Sequence, residues 1–379
     1  MTTVAILQRI VPHYRVAFFS GLHRALRERG HELRVVFGDA RPGTVPTSVE
    51  VSEPWAHRIR NRYLAFSTHE LVWQPAWAAT RDASLVVVEQ ANRMVLNHLL
   101  GLARVARKNP RVAMWGHGRN FQATAREGIS ERIKRVLATR ADWWFAYTEL
   151  SAAVFEELGV PRDRITVVDN AIDLDELSDA IARARPDRDV IRRGLGIGAS
   201  DRVGLFVGGL HAGKRIDFLV DAAVEIRTRV PDFHLLVVGD GPGRDVVEAA
   251  ARQHPWIHWT GEVVGAARAC YLAIGDVMLM PAHVGLVVLD SFVAETPLLT
   301  TDADNHSPEV AYLNHGVSSM RSLYTVDAYA SMVARVLGEP GLLETLRAGC
   351  RRSAVRYGVA NMVERFADGI EHCLASAPR

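Results

Sequence analysis

Lysine is nearly absent from this chain of 379 residues: of its 45 basic residues only Lys108, Lys134 and Lys214 are lysines. Arginine serves almost everywhere that a positive charge is acceptable, so a retained lysine marks a place that wants a compact point charge rather than a planar fork. Cysteine is equally scarce. Cys270, Cys350 and Cys373 are scattered, which excludes a disulfide framework and any cysteine metal motif and suits a reducing compartment. No apolar run reaches the roughly 18 residues of a membrane span. Met1-Thr-Thr-Val-Ala-Ile-Leu7 leads straight into a strand pattern with no basic leader region or small-residue cleavage site, and a cytoplasmic location is expected. There is also no internal repeat and no low-complexity tract.

What is present is an ordinary globular composition, with 48% hydrophobic residues and a formal net charge of +2, long enough for two cores. Charge is unevenly divided: residues 1 to 175 carry 24 basic and 18 acidic side chains, the remainder 21 and 25. The excess is densest around Arg119, Arg126, Arg132, Lys134, Arg135 and Arg140, where Ile129 to Ala138 has helical periodicity with cations on its polar face. A solvated helix face explains this, and so does peripheral contact with an anionic membrane or an anionic acceptor. Nucleic acid is not expected as a partner, because aromatic interleaving and any recognisable binding module are lacking.

Short β-branched runs alternate with helical patterns. Val4 to Leu7, Leu33 to Phe37, Leu85 to Val88, Val112 to Trp115 and Trp143 to Tyr147 are expected strands, with helices at Ala17 to Gly30, Asn92 to Lys108 and Ser151 to Leu158 between them. Near-continuous apolar strands separated by helices indicate a parallel sheet covered on both faces. The pattern restarts after a charged, helix-prone stretch, with strands at Val203 to Val207, Phe233 to Val238, Ile257 to Trp259, Val277 to Met280 and Leu298 to Thr300. The expected architecture is α/β with two Rossmann-like domains, 1–175 and 200–359, a linker region at 176–199, and a last helix, from about 360, that packs back on the first domain.

Weak signals stand in order at the carboxyl ends of the second-half strands, where such sheets bind ligands. Phe206-Val-Gly-Gly-Leu-His-Ala-Gly-Lys-Arg215 ends an apolar run in two glycines and carries one of the rare lysines. Glycine backbone N–H groups can approach an anion there, and an ammonium can neutralise it, so the segment reads as a diphosphate site. Gly239-Asp-Gly-Pro-Gly-Arg244 has a superficial dinucleotide fingerprint, with Glu262 near the expected offset. It lacks the third glycine and is not in the first βαβ unit, which argues against a dehydrogenase. No Asp-x-Asp has a strand-end setting, so no metal is expected.

The ordered set resembles the retaining family 4 glycosyltransferases of GT-B architecture, two facing Rossmann-like domains with a cleft between them. The carrying segments are Tyr14-Arg-Val-Ala-Phe-Phe19, Trp115-Gly-His-Gly118, Val167-Val-Asp-Asn-Ala-Ile-Asp173, Gly208 to Arg215, Val238 to Arg244, Gly285-Leu-Val-Val-Leu-Asp290 and Asn305-His-Ser-Pro-Glu-Val310. The resemblance implies catalytic roles for His117, Lys214 and Asp290. It implies donor contacts from Gly208, Gly209, Lys214, Arg215, Gly239, Gly241, Glu262, Gly285, Leu286, Asp290 and Glu309. Lys214 would neutralise the leaving diphosphate, Asp290 would accept from the donor ribose, and His117 would touch the transferred sugar. Tyr14, Arg15 and Arg119 are acceptor candidates.

Two positions depart from the family pattern. Gly209 stands where an arginine is common, and Ala282 where the first glutamate of the paired motif falls, in a loop that looks shortened, with His283 beside the gap. The implied reaction is metal-independent hexosyl transfer with retention from a nucleotide-sugar, a UDP-sugar ahead of a GDP-sugar, to a glycan, lipid-linked or small-molecule acceptor. The departing phosphate would take the acceptor proton, and no cofactor is implied because the nucleotide-sugar is a co-substrate. Closure of the domains about a hinge near residue 175 would bring His117 over the donor. Two rivals remain: a catalytically silent nucleotide-sugar-binding partner protein, and a non-hydrolysing nucleotide-sugar 2-epimerase.

Overall fold

The computed structural model describes residues 1–40, 51–66, 69–90, 110–117 and 141–377. The expected helix at Asn92 to Lys108 and the basic stretch from Arg119 to Arg140 lie outside these residues. The chain divides into two compact units, one formed by Met1–Asp173 with Gly358–Arg379, the other by Leu174–Tyr357.

In the first unit β1 (Thr2–Gln8), β2 (His31–Phe37) and β3 (Ala56–Arg58) lead outward, and β4 (Arg62–Phe66) and β5 (His69–Trp73) form a separate antiparallel pair. β6 (Leu85–Glu89), β7 (Arg111–Gly116), β8 (Trp143–Ala146) and β9 (Ile165–Val167) then extend the sheet on the other side. The order is β3-β2-β1-β6-β7-β8-β9, parallel throughout. β1 and β6 are solidly apolar because both faces are covered.

The last helix, Val359–Ala375, packs against the helix Val16–Glu28 and against β8 and β9. Phe366 stacks on Phe145 with centroids 4.1 Å apart and meets Trp115 edge-on at 5.0 Å. Two glycines permit the approach: a Cβ on Gly369 would lie 2.6 Å from Phe145, and one on Gly21 would lie 2.9 Å from Val363.

The second unit contains β10 (Arg202–Val207), β11 (Phe233–Val238), β12 (Ile257–Trp259), β13 (Val277–Leu279), β14 (Leu298–Thr301) and β15 (Ser319–Ser322). All are parallel in the order β12-β11-β10-β13-β14-β15, so the winding reverses between β10 and β13. That reversal is the topological switch point, where doubly wound sheets bind ligands beyond the strands' carboxyl ends. Residues 176–199, read above as a linker, form the helices Asp175–Ala184 and Arg188–Gly194, which belong to this unit and pack on the helix Gly265–Ile274. Their apolar faces and Arg192, buried against Asp276, account for the difference.

Candidate active site

Beside the switch point the loops after β10 and β11 interlock. The N–H groups of Gly208 and Leu210 donate to the carbonyls of Val238 and Asp240, at 3.0 and 2.9 Å, and Gly243 N–H donates back to Leu210. This contact leaves no room for side chains: a Cβ on Gly239 would sit 2.0 Å from the Gly208 carbonyl oxygen, and one on Gly241 would sit 2.9 Å from Leu210 backbone. Both adopt positive φ, 149° and 151°, which only glycine takes readily. Gly209 is open at its Cβ position, with nothing nearer than 3.7 Å. Gly261 carbonyl accepts from Gly239 N–H at 2.8 Å, joining the β12 loop, on which Glu262 is exposed, to the same backbone.

Lys214 closes the turn after β10 and is 7% exposed. Its Nζ donates to the carbonyl of His283 at 2.7 Å, in the loop after β13, and lies 3.5 Å from Met280 Sδ. The lysine therefore bridges the two strands that flank the switch point. It has no carboxylate partner among the described residues, and burial lowers its pKa to about 8. It remains mostly protonated at neutral pH: an ammonium desolvated without a compensating charge, which raises its attraction for an incoming anion.

Three histidines, one from each neighbouring loop, surround it. His211 and His283 meet edge-on with centroids 4.8 Å apart. His306 fixes two loops at once, since its Nδ1 accepts from Val284 N–H at 3.0 Å and its Nε2 lies 3.1 Å from the Thr301 carbonyl. Asn305 adds a third tie, donating to the Gly213 carbonyl at 2.9 Å and accepting from His283 N–H at 3.3 Å. Burial and then the Lys214 charge lower the pKa of His211 and of His283, and burial, then the Arg321 charge and after it that of Lys214, lower that of His306; His283 and His306 fall to about 4. The cluster is thus neutral around one cation. His283 holds φ at 52°, in the left-handed region that few non-glycine residues adopt and that histidine tolerates better than most.

The remaining second-unit candidates divide. Gly285 and Leu286 open the helix Val287–Val293, with Ser307 Oγ 3.7 Å from where a Gly285 Cβ would be. Glu309 is buried on the turn Pro308–Tyr312. Arg215 does not join Lys214: its guanidinium pairs with Asp217 at 3.3 Å and lies over the Tyr324 ring. Asp290 is 3% exposed, with one oxygen held by Arg268 and the other, Oδ1, buried without a hydrogen-bond partner. Burial raises its pKa to about 6 against the opposing Arg268 charge. Sequence reasoning gave no role to Arg268, His211, Asn305 or His306. The available signal was a histidine in each of three strand-end loops.

In the first unit His117 follows β7. Its ring meets Tyr147 edge-on at 4.0 Å, its Nδ1 is buried without a partner among the described residues, and burial, then the Arg15 charge, lowers its pKa to about 4. Tyr14 is 37% exposed. Arg15 corrects the expectation that it faces an acceptor: it is 6% exposed, donates to Asn170 Oδ1 and to the Ala171 carbonyl at 3.3 Å, and stacks over Trp115. A guanidinium so placed ties the segment after β9 to the first helix. Arg119 lies outside the described residues.

Two parallel, doubly wound α/β units are the architecture of the GT-B fold class. Two glycosyltransferase family models match the chain side by side: Glycosyltransferase Family 4 over residues 18–176 and Glycosyl transferases group 1 over residues 201–339. The chain belongs to the group 1 glycosyltransferases. It is 30% identical to a 2-deoxystreptamine glucosyltransferase of Streptomyces kanamyceticus over 60% of this chain and 62% of that one. It is 28% identical to a D-inositol 3-phosphate glycosyltransferase of Thermobispora bispora over 84% and 73%. Against a second D-inositol 3-phosphate glycosyltransferase, from Jonesia denitrificans, the match spans 43% of the relative's length. Among solved structures, Anabaena HepE in complex with UDP has a TM-score of 0.69 at 14% identity, covering 98% of this chain and all of that one. Sucrose-phosphate synthase from Thermosynechococcus elongatus has 0.69 at 15%, with full coverage of both. No helix among the described residues is long and apolar enough to cross a membrane.

Proposed function

We propose that this protein is a retaining glycosyltransferase that takes a hexosyl group from a UDP-sugar and delivers it to a ring hydroxyl of a small polyhydroxylated acceptor, without a metal. The observation that carries the reading is Lys214, buried at the switch point with its ammonium uncompensated by any carboxylate among the described residues. A diphosphate supplies the missing negative charge, and the open Cβ position of Gly209 leaves room for it beside the interlocked loops. UDP is favoured as the nucleotude carrier by the UDP in the HepE structure, and a cyclitol-like acceptor by the 2-deoxystreptamine and inositol phosphate in the relatives' names.

In the reaction the bond from the anomeric carbon to the diphosphate oxygen breaks, and the bond to the acceptor oxygen forms on the same face. The acceptor proton passes to the departing phosphate oxygen, so the protein need supply no nucleophile. Lys214 stabilises the charge that builds on the leaving group, where the interaction is stronger in the transition state than in the ground state. His117, neutral at working pH, hydrogen-bonds the transferred sugar through the ring nitrogen that now lacks a partner. A second reading, donor binding without transfer, draws on Ala282 in place of the motif glutamate and on Arg268 occupying Asp290.

Calorimetric titration of UDP, GDP, dTDP and ADP without metal, on the native protein and on Lys214→Ala, tests the site. UDP should bind, and the substitution should weaken it tenfold or more, about 1.4 kcal/mol. Unchanged binding sinks the diphosphate assignment. Turnover of UDP-sugars with a cyclitol panel then separates transfer from silent binding, since only a transferase releases UDP in step with a glycosylated acceptor.

A further inference from the structure

At the amino ends of the second sheet's strands, opposite the glycine loops, five arginines converge on three carboxylates. Asp276, just before β13, is buried and has both oxygens filled. Oδ2 accepts from Val203 N–H at 2.9 Å and Arg192 at 3.0 Å, and Oδ1 accepts from Arg188 at 2.6 Å and Arg347 at 3.3 Å. Three guanidinium groups thus share one carboxylate. Alongside, Glu295 takes Arg185 at 2.9 Å and also Arg351, and Arg351 reaches Glu344 at 2.8 Å. These eight side chains carry more positive than negative charge, five guanidinium groups against three carboxylates, with Asp189 beside Arg192 the one further carboxylate that Arg192 feels. The Nε groups of Arg188 and Arg192 are buried without hydrogen-bond partners. Arg192 also feels the charges of Arg188 and of the exposed Asp189.

Six of these side chains, Arg185, Arg188, Arg347, Arg351, Glu295 and Glu344, line a cavity of about 320 Å³, with Asp276 and Arg192 behind its wall. A cluster of guanidinium groups that outnumbers its acids attracts an anion, and arginine forks match tetrahedral oxyanions in bidentate geometry. The surplus is positive and favours a phosphate anion. The volume is more than a bare phosphate fills, so a small phosphomonoester also fits.

We infer that this cavity is a second anion site, built for a phosphate group and remote from the donor loops, with Arg188 and Arg347 as its principal ligands. The inference is independent of the proposed transferase activity. The test is calorimetric titration of the full chain with inorganic phosphate at constant ionic strength. It is carried out in the Lys214→Ala protein so that the glycine loops contribute little, with glycerol 3-phosphate as a second arm. Phosphate should bind, Arg347→Gln should weaken it at least tenfold, and Glu344→Gln, which removes a competing exposed carboxylate, should tighten it several-fold. Tighter glycerol phosphate than inorganic phosphate assigns the site to a phosphomonoester, and the reverse to the free ion.

A purely structural network behaves differently. Arg347→Gln would then lower the melting temperature equally with and without phosphate, and no phosphate heat would appear at millimolar concentration. Either result overturns the inference, as does phosphate binding that both substitutions leave unchanged. Because Glu344→Gln alters an exposed side chain, it keeps the test decisive even if Arg347→Gln fails to fold.

Discussion

Replacing Lys214 by methionine should make the protein more stable and unable to hold its nucleotide. Burial moves the lysine from its ordinary 10.5 to about 8, so holding it charged in the folded state costs about 3 kcal/mol. Methionine has nearly the same length and removes that cost, but it leaves the His283 carbonyl without its donor, a loss of about 1–2 kcal/mol. The net gain is about 1–2 kcal/mol at neutral pH, and a domain of this size gains roughly 2–4 °C in melting temperature for each. Nucleotide affinity should fall in the same variant: an ammonium about 4 Å from one phosphate charge is worth up to about 4 kcal/mol at an effective dielectric near 20. Scanning calorimetry and UDP titration on the same samples measure both.

The pH dependence has a fixed sign. The folded pKa lies below the unfolded one, so the unfolded chain holds more protons between about pH 8 and 10.5, and the native protein gains stability there relative to the variant. The gap in melting temperature should therefore narrow as pH rises through that window. UDP affinity of the native protein should stay level below pH 8 and decline above it, as the ammonium loses its proton. A methionine variant that melts lower than the native protein at neutral pH would refute the uncompensated charge, and one that binds UDP as well would refute the diphosphate site.

Three further outcomes are expected. Gly239→Ala, whose Cβ would meet the Gly208 carbonyl at 2.0 Å with φ at 149°, should cost at least about 3 kcal/mol in urea unfolding, whereas Gly261→Ala, at φ 73° with open space, should cost only about 1–2 kcal/mol; equal costs would show that the two loops do not interlock. Gly209→Arg, at an open Cβ position without positive φ, should tighten UDP several-fold by supplying the arginine that the family pattern places there, and weaker binding at unchanged melting temperature would rule that out. His117→Gln should lower kcat without shifting the acid limb of the kcat/KM profile, because burial and Arg15 already keep the ring neutral above about pH 4; an acid limb near 6.5 that the substitution removes would contradict this.

The strands were legible because a parallel sheet covered on both faces leaves few polar positions: all six residues of β11 are buried, and the apolar run in the sequence has the same limits. Lys214 was legible through its rarity. Arg15 was misread because its partners, Asn170 and Ala171, lie more than 150 positions away, and nothing local distinguishes a guanidinium held by a distant carbonyl from one facing solvent. Asp290 shows the same limit at shorter range. Its place in the motif was visible, whereas Arg268, which occupies it, comes from a different helix 22 residues upstream.

The histidines show why individually weak signals can form one site. His211, His283 and His306 follow β10, β13 and β14, which are separated in sequence but adjacent in the sheet. Parallel strands place all their following loops at one edge, so lateral order alone decides which loops touch. Once β10 lies beside β13, the carbonyl that meets Lys214 comes from the residue next to Ala282, the very position that lacks the motif glutamate. The loop's shape is held by Asn305 and His306 through backbone contacts, not by a side chain at position 282. On the proposed function, alanine at this position would forgo a contact to the donor sugar without removing the support of the lysine, and its consequence should fall on sugar selectivity and turnover rather than on nucleotide affinity.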